Sequence, residues 1–548
     1  MSIDKLSYKP EGSGRASHSP SHKPEGSGLV PFSQSHHGIA KSTSVIGFAT
    51  FVSRILGFLR DIIIARLFGI YLYAQAFVIA FRIPNLLRDL VGEGAANSAI
   101  VPVFSEYNLK HTKEEFWELA NIVLNLLLVA LMLITVLGIA LSPIIVRLIA
   151  PGFIASPEKL QATIKLTRVI FPYILLISLA AYATGILNTL KHFAVPAFAP
   201  CLLNISIIIF ALIFGEGLTG LALGVLVGGV LQLAVQIPVL YKKGFRLRFF
   251  HRFRHPAAKT IGILMLPRIL SSCIYQLNNF VDSIFGSLAW IVGEGGVAVL
   301  YFSYRLVQFP LGIFSNALSQ AILPVFSQEA LEENTDNLKR TFSWGLRATF
   351  FTMLPASIGF MVLARPIVTT FFGGGKFDLN STRLTANALF FYSIGLFAYG
   401  ANKIMQSCFF ALKDTVTPTK IAFAALVMNV ILNSILMFPL KIEGLALATS
   451  ISGIISFLML GALLYKRLGG FNIKEIAVSF ARMLLASLCM AGVCFFVSSK
   501  SINPENIFFL KVLNLLILVL SGCLSYIAFC LLFRVKEVQE LWKWLRSL

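Results

Sequence analysis

The 548-residue sequence is 57% hydrophobic and 13% charged, with a mean hydropathy of +0.80. A soluble chain carries roughly 25% charged residues, so this composition excludes a soluble protein and makes lipid the solvent. The net charge of +21 is not gathered on a soluble domain, which argues against nucleic-acid binding.

The common signatures of catalysis are missing from the sequence. Its seven cysteines form no CxxC pair and no Cys/His cluster with metal spacing, and no G-x-x-x-x-G-K-[ST] phosphate loop occurs. We therefore expect no catalytic residues, no metal site, no ATPase module and no covalent chemistry.

The first 38 residues are rich in Ser, Gly, His and Pro. The hexapeptide Lys-Pro-Glu-Gly-Ser-Gly occurs there twice, at 9–14 and 23–28. Such a composition cannot bury enough apolar area to fold, so we predict a disordered cytoplasmic tail over 1–38. No apolar region typical of a cleavable signal peptide precedes residue 39, so the first membrane helix is expected to act as the targeting signal.

From Ala40 onward the chain is almost continuously apolar, and about 20 apolar residues make one membrane span. We predict an all-α polytopic membrane protein, in which the third, fourth, eighth and ninth spans project past the bilayer. The fourteen predicted spans lie near residues 42–66, 72–105, 116–149, 160–190, 194–214, 218–241, 258–288, 294–327, 338–372, 383–411, 416–438, 443–466, 476–498 and 507–533.

Basic residues predict the orientation of these spans. The loops after even-numbered spans are rich in Lys and Arg, most densely from Lys242 to Lys259, whereas the loops after odd-numbered spans carry scattered single charges. The positive-inside rule then places both termini in the cytoplasm.

The two halves of the chain repeat each other. The segment Ala99–Glu106 is echoed by Ala321–Gln328 at an offset of 222, and Ser142–Ile145 is echoed by Arg365–Val368 at an offset of 223. Two further matches occur in order at offsets of 222 and 224. The repeat predicts two six-helix bundles with the same orientation, whose interface is the natural place for a substrate.

The resulting domain organisation has two lobes, at 40–245 and 258–467, followed by two added helices within 476–533 and an amphipathic tail at 535–548. The added helices contain almost no charged residues. They either present a groove for a lipid tail or pack as ordinary helices, and composition does not choose between these roles.

Charged residues inside the predicted spans are the strongest functional signal, because each costs about 2.5–3.5 kcal/mol at a helix centre. Arginine outnumbers acid among them, which predicts a cationic cavity for an anionic substrate, and the planar guanidinium suits phosphate oxygens. The alternative is that some of them snorkel to the interface or form structural ion pairs. They are Arg54, Arg60, Asp61 and Arg66 in span 1, Arg82, Arg88, Asp89 and Glu93 in span 2, and Arg305 in span 8.

Helix breakers lie close to these charges. Pro84 follows Arg82 by two residues, and Pro310 follows Arg305 by five. Their matching placement in the two repeats favours bends that line a cavity, although packing kinks at proline are also common in membrane helices.

Several ordered motifs resemble the MurJ (MviN) lipid II flippase family over residues 40–535. In the first half these are Ser53-Arg-Ile-Leu-Gly-Phe-Leu-Arg-Asp61, Ala65-Arg66, Phe68-Gly69, Ala76-Phe77, Arg82-Ile-Pro-Asn-Leu-Leu-Arg88, Glu93-Gly94-Ala95, Val101-Pro-Val-Phe104 and Glu106-Tyr107. In the second half they are Tyr304-Arg305-Leu306, Phe309-Pro310 and Gly312.

This resemblance implies two six-helix lobes in a V plus two C-terminal helices, in the multidrug/oligosaccharidyl-lipid/polysaccharide exporter superfamily. It implies a protein of the bacterial inner membrane that flips lipid II, the undecaprenyl-pyrophosphate disaccharide-pentapeptide, to the periplasmic leaflet by alternating access. Membrane lipids and the cell-wall synthesis machinery are the other expected partners. The family's substrate-binding arginines match Arg54, Arg60, Arg88 and Arg305, with Asp61 beside Arg60, and Arg82 and Glu93 are additional cavity candidates.

Two positions depart from the family pattern: Gln75 and Tyr304 stand where many members carry an acid. The resemblance also implies no cofactor beyond a sodium ion or the membrane potential as driving force. Asp282 in span 7 and Asp414 before span 11 are the candidate coupling acids, although Asp282 also suits an interhelical polar contact.

The sequence is compared with the expectations of three other functions. A drug or cation antiporter of the same superfamily would prefer carboxylates in its cavity, and an enzyme acting on polyprenyl phosphates would need an acid-rich metal site or a His/Asp pair. A scaffold for wall synthesis would leave the arginines inside the spans without a use. The excess of arginine favours the flippase.

Overall fold

A computed structural model describes residues 32–87, 97–215, 217–248, 255–332, 335–500 and 508–538. Within these ranges the regular structure is helical apart from one bridge between Gly374 and Phe377, which confirms the predicted all-α class. The helices are α1 Phe32–Phe68, α2 Leu72–Leu87, α3 Asn97–Lys110, α4 Lys113–Ile149, α5 Pro157–Ile170, α6 Tyr173–Thr189, α7 Ala194–Phe214, α8 Leu218–Ala234, α9 Ile237–Lys242, α10 Pro256–Ser287, α11 Ala289–Val292, α12 Gly296–Pro310, α13 Asn316–Leu331, α14 Thr335–Phe371, α15 Leu379–Ile394, α16 Leu396–Ala411, α17 Val416–Arg467, α18 Ile473–Lys500 and α19 Phe508–Leu532.

Among the described residues, nine helices are long and apolar enough to cross a membrane, or ten with the bent pair α15 and α16. α17 counts once here but contains two helices, because Lys441 has non-helical angles (φ 52°, ψ −129°). The buried side chains of Asn429 and Thr449 hydrogen-bond across that turn at 3.2 Å, so the chain reverses there. The count of fourteen spans stays a prediction.

The predicted third and ninth spans, which were expected to project past the bilayer, correspond to the long helices α4 and α14. α4 and α14 each contain 37 residues, about 55 Å at 1.5 Å per residue, which exceeds the hydrocarbon thickness of about 30 Å. A capping box starts α4: the Thr112 hydroxyl accepts from the Glu115 amide, and the Glu115 carboxylate accepts from the Thr112 amide.

The fourth predicted span, 160–190, corresponds to one candidate membrane span, Pro157–Thr189. It has a local break at Phe171 and Pro172 between α5 and α6, because proline cannot donate a helix hydrogen bond. One expectation is wrong. Residues 32–38, assigned to the disordered tail, are the first residues of α1, since a long apolar helix can extend into adjacent polar sequence once it has formed. Residues 1–31 lie outside the described part.

The repeat recurs in the backbone of the described helices. Lys191 and Lys413, related by the same offset of 222, both adopt a positive φ, 57° and 59°, directly after a helix. Gly215 (φ 56°, ψ −121°) and Lys441 (φ 52°, ψ −129°) form the same sharp turn. The break between α5 and α6 likewise has its counterpart at Gly395, where α15 and α16 bend by 44°. Both halves are therefore built on one helical plan.

α10 contacts both halves of the chain, although it was predicted to begin the second lobe. Its first residues, including Ala257 and Ile261, are buried in a cluster with Phe104 and Phe116 of the first lobe. The helix also packs against α12 and α17 of the second lobe. α10 therefore connects the lobes physically as well as in sequence.

The added helices α18 and α19 dock on the second lobe through α14. The Tyr526 hydroxyl of α19 donates to the Phe351 carbonyl of α14 at 3.0 Å. The start of the predicted amphipathic tail is held against the protein, because Val535, Glu537 and Val538 are buried. Residues 539–548 lie outside the described part.

The eighth span is interrupted where the helix-breaker pattern predicted a bend. α12 ends at Pro310, a π-helical stretch follows over Leu311–Ser315, and α13 continues from Asn316. Proline removes one backbone donor and favours such a widening of the helix. α12 packs against α1 and α2 of the first lobe, so this interrupted span lies at the interface between the lobes.

Candidate functional site

The centre of the interface contains a buried pair of consecutive residues on α1, Arg60 and Asp61. Arg60 is 6% exposed and Asp61 is fully buried. Arg60 Nε and Nη2 donate to Asp61 Oδ1 at 3.0 and 2.7 Å. Arg60 Nη1 donates to Asn204 Oδ1 of α7 at 3.1 Å, and Asn204 Nδ2 donates to the Ser53 carbonyl at 3.2 Å. The guanidinium is therefore fixed within the first lobe.

α12 completes this cluster from the second lobe. The Tyr301 hydroxyl donates to Asp61 Oδ1 at 3.1 Å, and Arg305 Nε lies 2.7 Å from Asp61 Oδ2 as an ion pair. Tyr301 and Arg305 are four residues apart, so they lie on one face of α12. One carboxylate thus neutralises part of the charge of two arginines from different lobes.

The two arginines differ in their access to water. Arg60 is buried and donates four hydrogen bonds to protein acceptors, whereas the Arg305 side chain is 32% exposed. Arg305 Nη1 donates to Gln308 at 3.4 Å, and a Cβ built at Gly57 would lie 3.1 Å from Arg305 Nη2. Arg305 therefore lies across α1 with its guanidinium in the cavity wall. Arg60 does not line the cavity and contacts Arg305 only through their shared partner Asp61.

A cavity of about 290 Å³, here called the main cavity, extends from Arg305 toward α2 and α10. In its wall, Arg82 donates to the Ser283 hydroxyl, and Asp282 Oδ1 is buried without a hydrogen-bond partner. The main cavity is lined by Phe77, Val78, Phe81, Arg82, Asn85, Leu86, Gln276, Asp282, Leu300, Tyr301, Tyr304, Arg305 and Gln308.

A second cavity of about 250 Å³, the side cavity, shares Tyr304, Arg305 and Gln308 with the main cavity. It adds Arg54 of α1 and Lys403 of α16. Arg54 lies directly over Gly312 of the π-helical stretch, where a Cβ would overlap its guanidinium. Of the described residues, four cations and one acid, Asp282, line the two cavities.

Some predicted site residues lie apart from this cluster. Arg88 and Glu93 lie outside the described residues, as does Asp89. Asp414 lines neither cavity: its Oδ1 accepts from the Thr417 amide at 2.9 Å and its Oδ2 from the Thr417 hydroxyl at 2.7 Å, at the start of α17. These hydrogen bonds hold the pKa of Asp414 below its usual range, so it is a charged helix-capping residue at neutral pH.

The two departures from the family pattern lie in the same region. Gln75 is 2% exposed, and Tyr304 lines both cavities and packs against Tyr392 at a ring distance of 5.4 Å. Among the described residues, no three His, Cys, Asp or Glu side chains are placed to hold a metal ion.

The sequence patterns do not single out three residues of the site: Asn204, Tyr301 and Lys403. Lys403 had a usable signal, since it is a cation in the interior of the predicted tenth span, 20 residues after Arg383 at its first position. Tyr301 and Asn204 are uncharged, and polar uncharged residues are ordinary in membrane helices, so only their contact with Arg60 and Asp61 marks them.

Comparison with known proteins gives a consistent result. The family model described as lipid II flippase MurJ matches residues 64–520. The "Probable lipid II flippase MurJ" of Buchnera aphidicola subsp. Acyrthosiphon pisum is 35% identical over 462 residues, covering 82% of this chain and 89% of that protein. The "Lipid II flippase MurJ" of Burkholderia cenocepacia is 34% identical, covering 77% and 83%.

Solved structures agree with these matches. A structure described as "Lipid II flippase MurJ, inward closed conformation" has a TM-score of 0.76 and 29% identity, covering 89% of this chain and 98% of that chain. An inward-facing MATE family transporter of the MOP superfamily has a TM-score of 0.62 at 17% identity, covering 76% and 94%, which indicates a shared fold. The protein is a multi-pass membrane transporter without covalent chemistry, and it belongs to the MurJ lipid II flippase family.

Proposed function

We propose that this chain flips lipid II across the bacterial inner membrane by alternating access and binds the pyrophosphate–sugar head group in the main and side cavities. One observation carries the proposal: among the described residues that line these cavities, the cations Arg54, Arg82, Arg305 and Lys403 outnumber the one acid, Asp282. Such an excess of positive charge in a low-dielectric site attracts a polyanion.

The chemistry of the cationic side chains suits a pyrophosphate. Arginine offers several N–H donors in a planar fork, so it can bind two phosphate oxygens at once, and Lys403 adds a point charge. Arg305 uses Nε toward Asp61 and keeps its Nη groups at the cavity, so it can bind substrate without leaving its counter-ion. Arg60 supports this arrangement through Asp61.

The proposed orientation has both termini in the cytoplasm, in agreement with the positive-inside pattern. Head-group loading then occurs from the cytoplasmic leaflet and release toward the periplasm. The sparsely charged α18 and α19, docked on α14, offer the surface along which the undecaprenyl tail remains in lipid.

The driving force in this proposal is the membrane potential or a sodium ion, and Asp282 is the coupling acid. It is an acidic residue in the wall of the main cavity, close enough to Arg82 for electrostatic interaction. Asp414 is a poor coupling residue, because Thr417 occupies both of its carboxylate oxygens.

The test is depletion of the protein, followed by measurement of lipid II exposed on the outer leaflet and complementation with variants. We expect exposure to fall on depletion and Arg305→Ala to fail to restore it while still inserting. Arg383→Ala provides a matched control, because Arg383 is an exposed residue that binds only Asn380 within α15. Unchanged exposure on depletion would remove the flippase function, and full activity of Arg305→Ala would remove the cationic binding site.

A further inference from the structure

The four loops that join the lobes on one membrane face make two similar contacts. We call this the outer face, since the loops follow odd-numbered spans and are predicted to be periplasmic. In the first contact, Gly152 lies against the backbone of Ser287: its amide donates to the Ser287 hydroxyl at 3.0 Å, and a Cβ at Gly152 would overlap the Ser287 carbonyl. A loop of the first lobe therefore packs tightly against the end of a helix of the second lobe.

In the second contact the roles of the lobes are exchanged: the glycine belongs to the second lobe and the helix end to the first. Gly375 of the second lobe lies against the end of α1, where a Cβ would overlap the Arg66 carbonyl. That carbonyl accepts from the Lys376 amide at 2.8 Å, and Arg66 Nη2 donates to the Thr370 carbonyl at 3.1 Å. The second-lobe loop is therefore closed on a first-lobe helix end.

The internal repeat relates these two contacts. Gly152 and Gly375 are related by an offset of 223, which also relates Pro143 to Pro366 in the preceding helices. Their partners Arg66 and Ser287 are related by nearly the same offset, 221. Each lobe therefore presents an equivalent glycine to the equivalent helix end of the other lobe.

A polar link accompanies each glycine contact. Lys159 Nζ binds Glu294 at 2.8 Å beside the first, and the Tyr71 hydroxyl donates to Asp378 at 2.8 Å beside the second. Tyr71 and Glu294 are again related by an offset of 223. Lys159 is only 6% exposed, so opening this face would bring a buried ammonium into water and separate it from Glu294.

We propose that Gly152 and Gly375 form a paired latch that holds the outer face of the transporter closed, with Lys159–Glu294 and Tyr71–Asp378 as its polar links. This proposal rests on the alternating-access function proposed above. In it, the residues of the latch determine whether the outer face is closed or open. A closed outer face needs close backbone approach at both glycines, and an outward-open state does not. A side chain there therefore penalises one state selectively and shifts the population toward the other.

Gly152→Ala is the sharpest variant, because Gly375 also has a φ of +60° and would be strained by any side chain. Gly217→Ala is the matched control: it lies in another outer-face loop, has a φ of −102°, and its Cβ would meet nothing closer than 3.8 Å. The reporter is Gln308→Cys, at the wall shared by both cavities, in a chain whose seven native cysteines are replaced by alanine.

Labelling by a membrane-impermeant maleimide is measured in right-side-out and inside-out vesicles. For Gly152→Ala we expect the ratio of outer-face to inner-face labelling to rise about 5-fold or more over the parent, because overpacking a tight contact costs enough to shift a two-state equilibrium that far. Gly217→Ala should match the parent. An unchanged ratio in Gly152→Ala, with normal total labelling after solubilisation, overturns the latch.

If Gly152→Ala fails to insert, Lys159→Met carries the test, since it removes the ion pair without adding bulk at a backbone contact. We expect the same direction of shift, and an unchanged ratio there also overturns the proposal. The labelling needs no lipid II. If the labelling ratio shifts but depletion leaves lipid II exposure unchanged, the latch is retained and the flippase function is removed. If the ratio is unchanged but depletion lowers lipid II exposure, only the latch is removed.

Discussion

Asp61 of the first lobe and Arg305 of the second form an ion pair at 2.7 Å across the interface between the lobes. Asp61 is fully buried and also accepts hydrogen bonds from Arg60 and Tyr301. A single carboxylate therefore holds two arginines and joins α1 to α12. Because Arg305 is also a cavity residue, this pair links the packing of the lobes to the substrate site.

The first prediction concerns Asp61→Asn. Removing the carboxylate leaves two guanidinium groups close together without a counter-ion, a loss of about 3–5 kcal/mol for a buried pair. We expect a lower Tm in detergent and loss of complementation. The control is Asp336→Asn, because the Asp336 side chain is 82% exposed and its contact with Lys339 spans 3.9 Å. An Asp61→Asn protein with parental Tm would show that the pair does not stabilise the interface.

The second prediction concerns Gly312→Ala. The new methyl would occupy the position of the Arg54 guanidinium, which can move aside because it ends a flexible side chain. We expect normal insertion and Tm, since alanine has a higher helix propensity than glycine, but transport between that of the parent and that of Arg54→Ala. Gly492→Ala should leave transport unchanged, because a Cβ there meets nothing within 4 Å. Parental transport in Gly312→Ala would mean that the position of Arg54 is unimportant.

The third prediction concerns Lys403→Gln. The substitution removes one cation from the side cavity and keeps a polar side chain of similar length. We expect binding of purified lipid II to weaken by about 3- to 10-fold and to depend less steeply on salt concentration. Lys420→Gln, at an exposed position near the start of α17, is the comparison. Equal affinities of the two variants would exclude Lys403 from the binding site.

The fourth prediction separates capping from ion coupling at Asp414. Hydrogen bonds from Thr417 lower the pKa of Asp414, so its charged form stabilises the folded state above the unfolded pKa, and this contribution disappears as the pH falls through the lower folded value. We expect Asp414→Asn to lower Tm at pH 7, and the difference from the parent to begin to shrink below about pH 4 and to vanish only once the pH is below the lowered pKa of the folded state. A variant with parental Tm at pH 7 that cannot transport would instead favour a coupling role.

Much of the fold was predictable because membrane helices leave strong local signals. Apolar length predicted the long helices α4 and α14, and the repeat offset of 222 paired Lys191 with Lys413, which the structure shows in the same left-handed conformation. Hydropathy also predicted the fourth span, 160–190, but not the local break at Pro172, since hydropathy averaged over a window does not register a break in backbone hydrogen bonding.

The site was predictable in part for an energetic reason. Charge within a span is costly, so a charged residue there indicates an ion-pair partner or a functional site. This reasoning identified Arg54, Arg60, Asp61, Arg82 and Arg305. Asn204 and Tyr301 did not stand out, because neutral polar residues cost little in a helix. The roles of the arginines were also unresolved, since Arg60 and Arg305 carry the same charge yet one is buried and the other faces a cavity.

The sequence by itself determined the solvent, the helical class, the internal repeat and the surplus of arginine, because these follow from composition and spacing along one chain. Only the tertiary structure decided that Asp61 pairs with Arg305, that Lys403 joins Arg54, and that Gly152 and Gly375 meet opposite helix ends. Each of these contacts joins residues of different lobes that lie far apart in the sequence. Their distances are set by how the lobes pack, which local sequence does not encode.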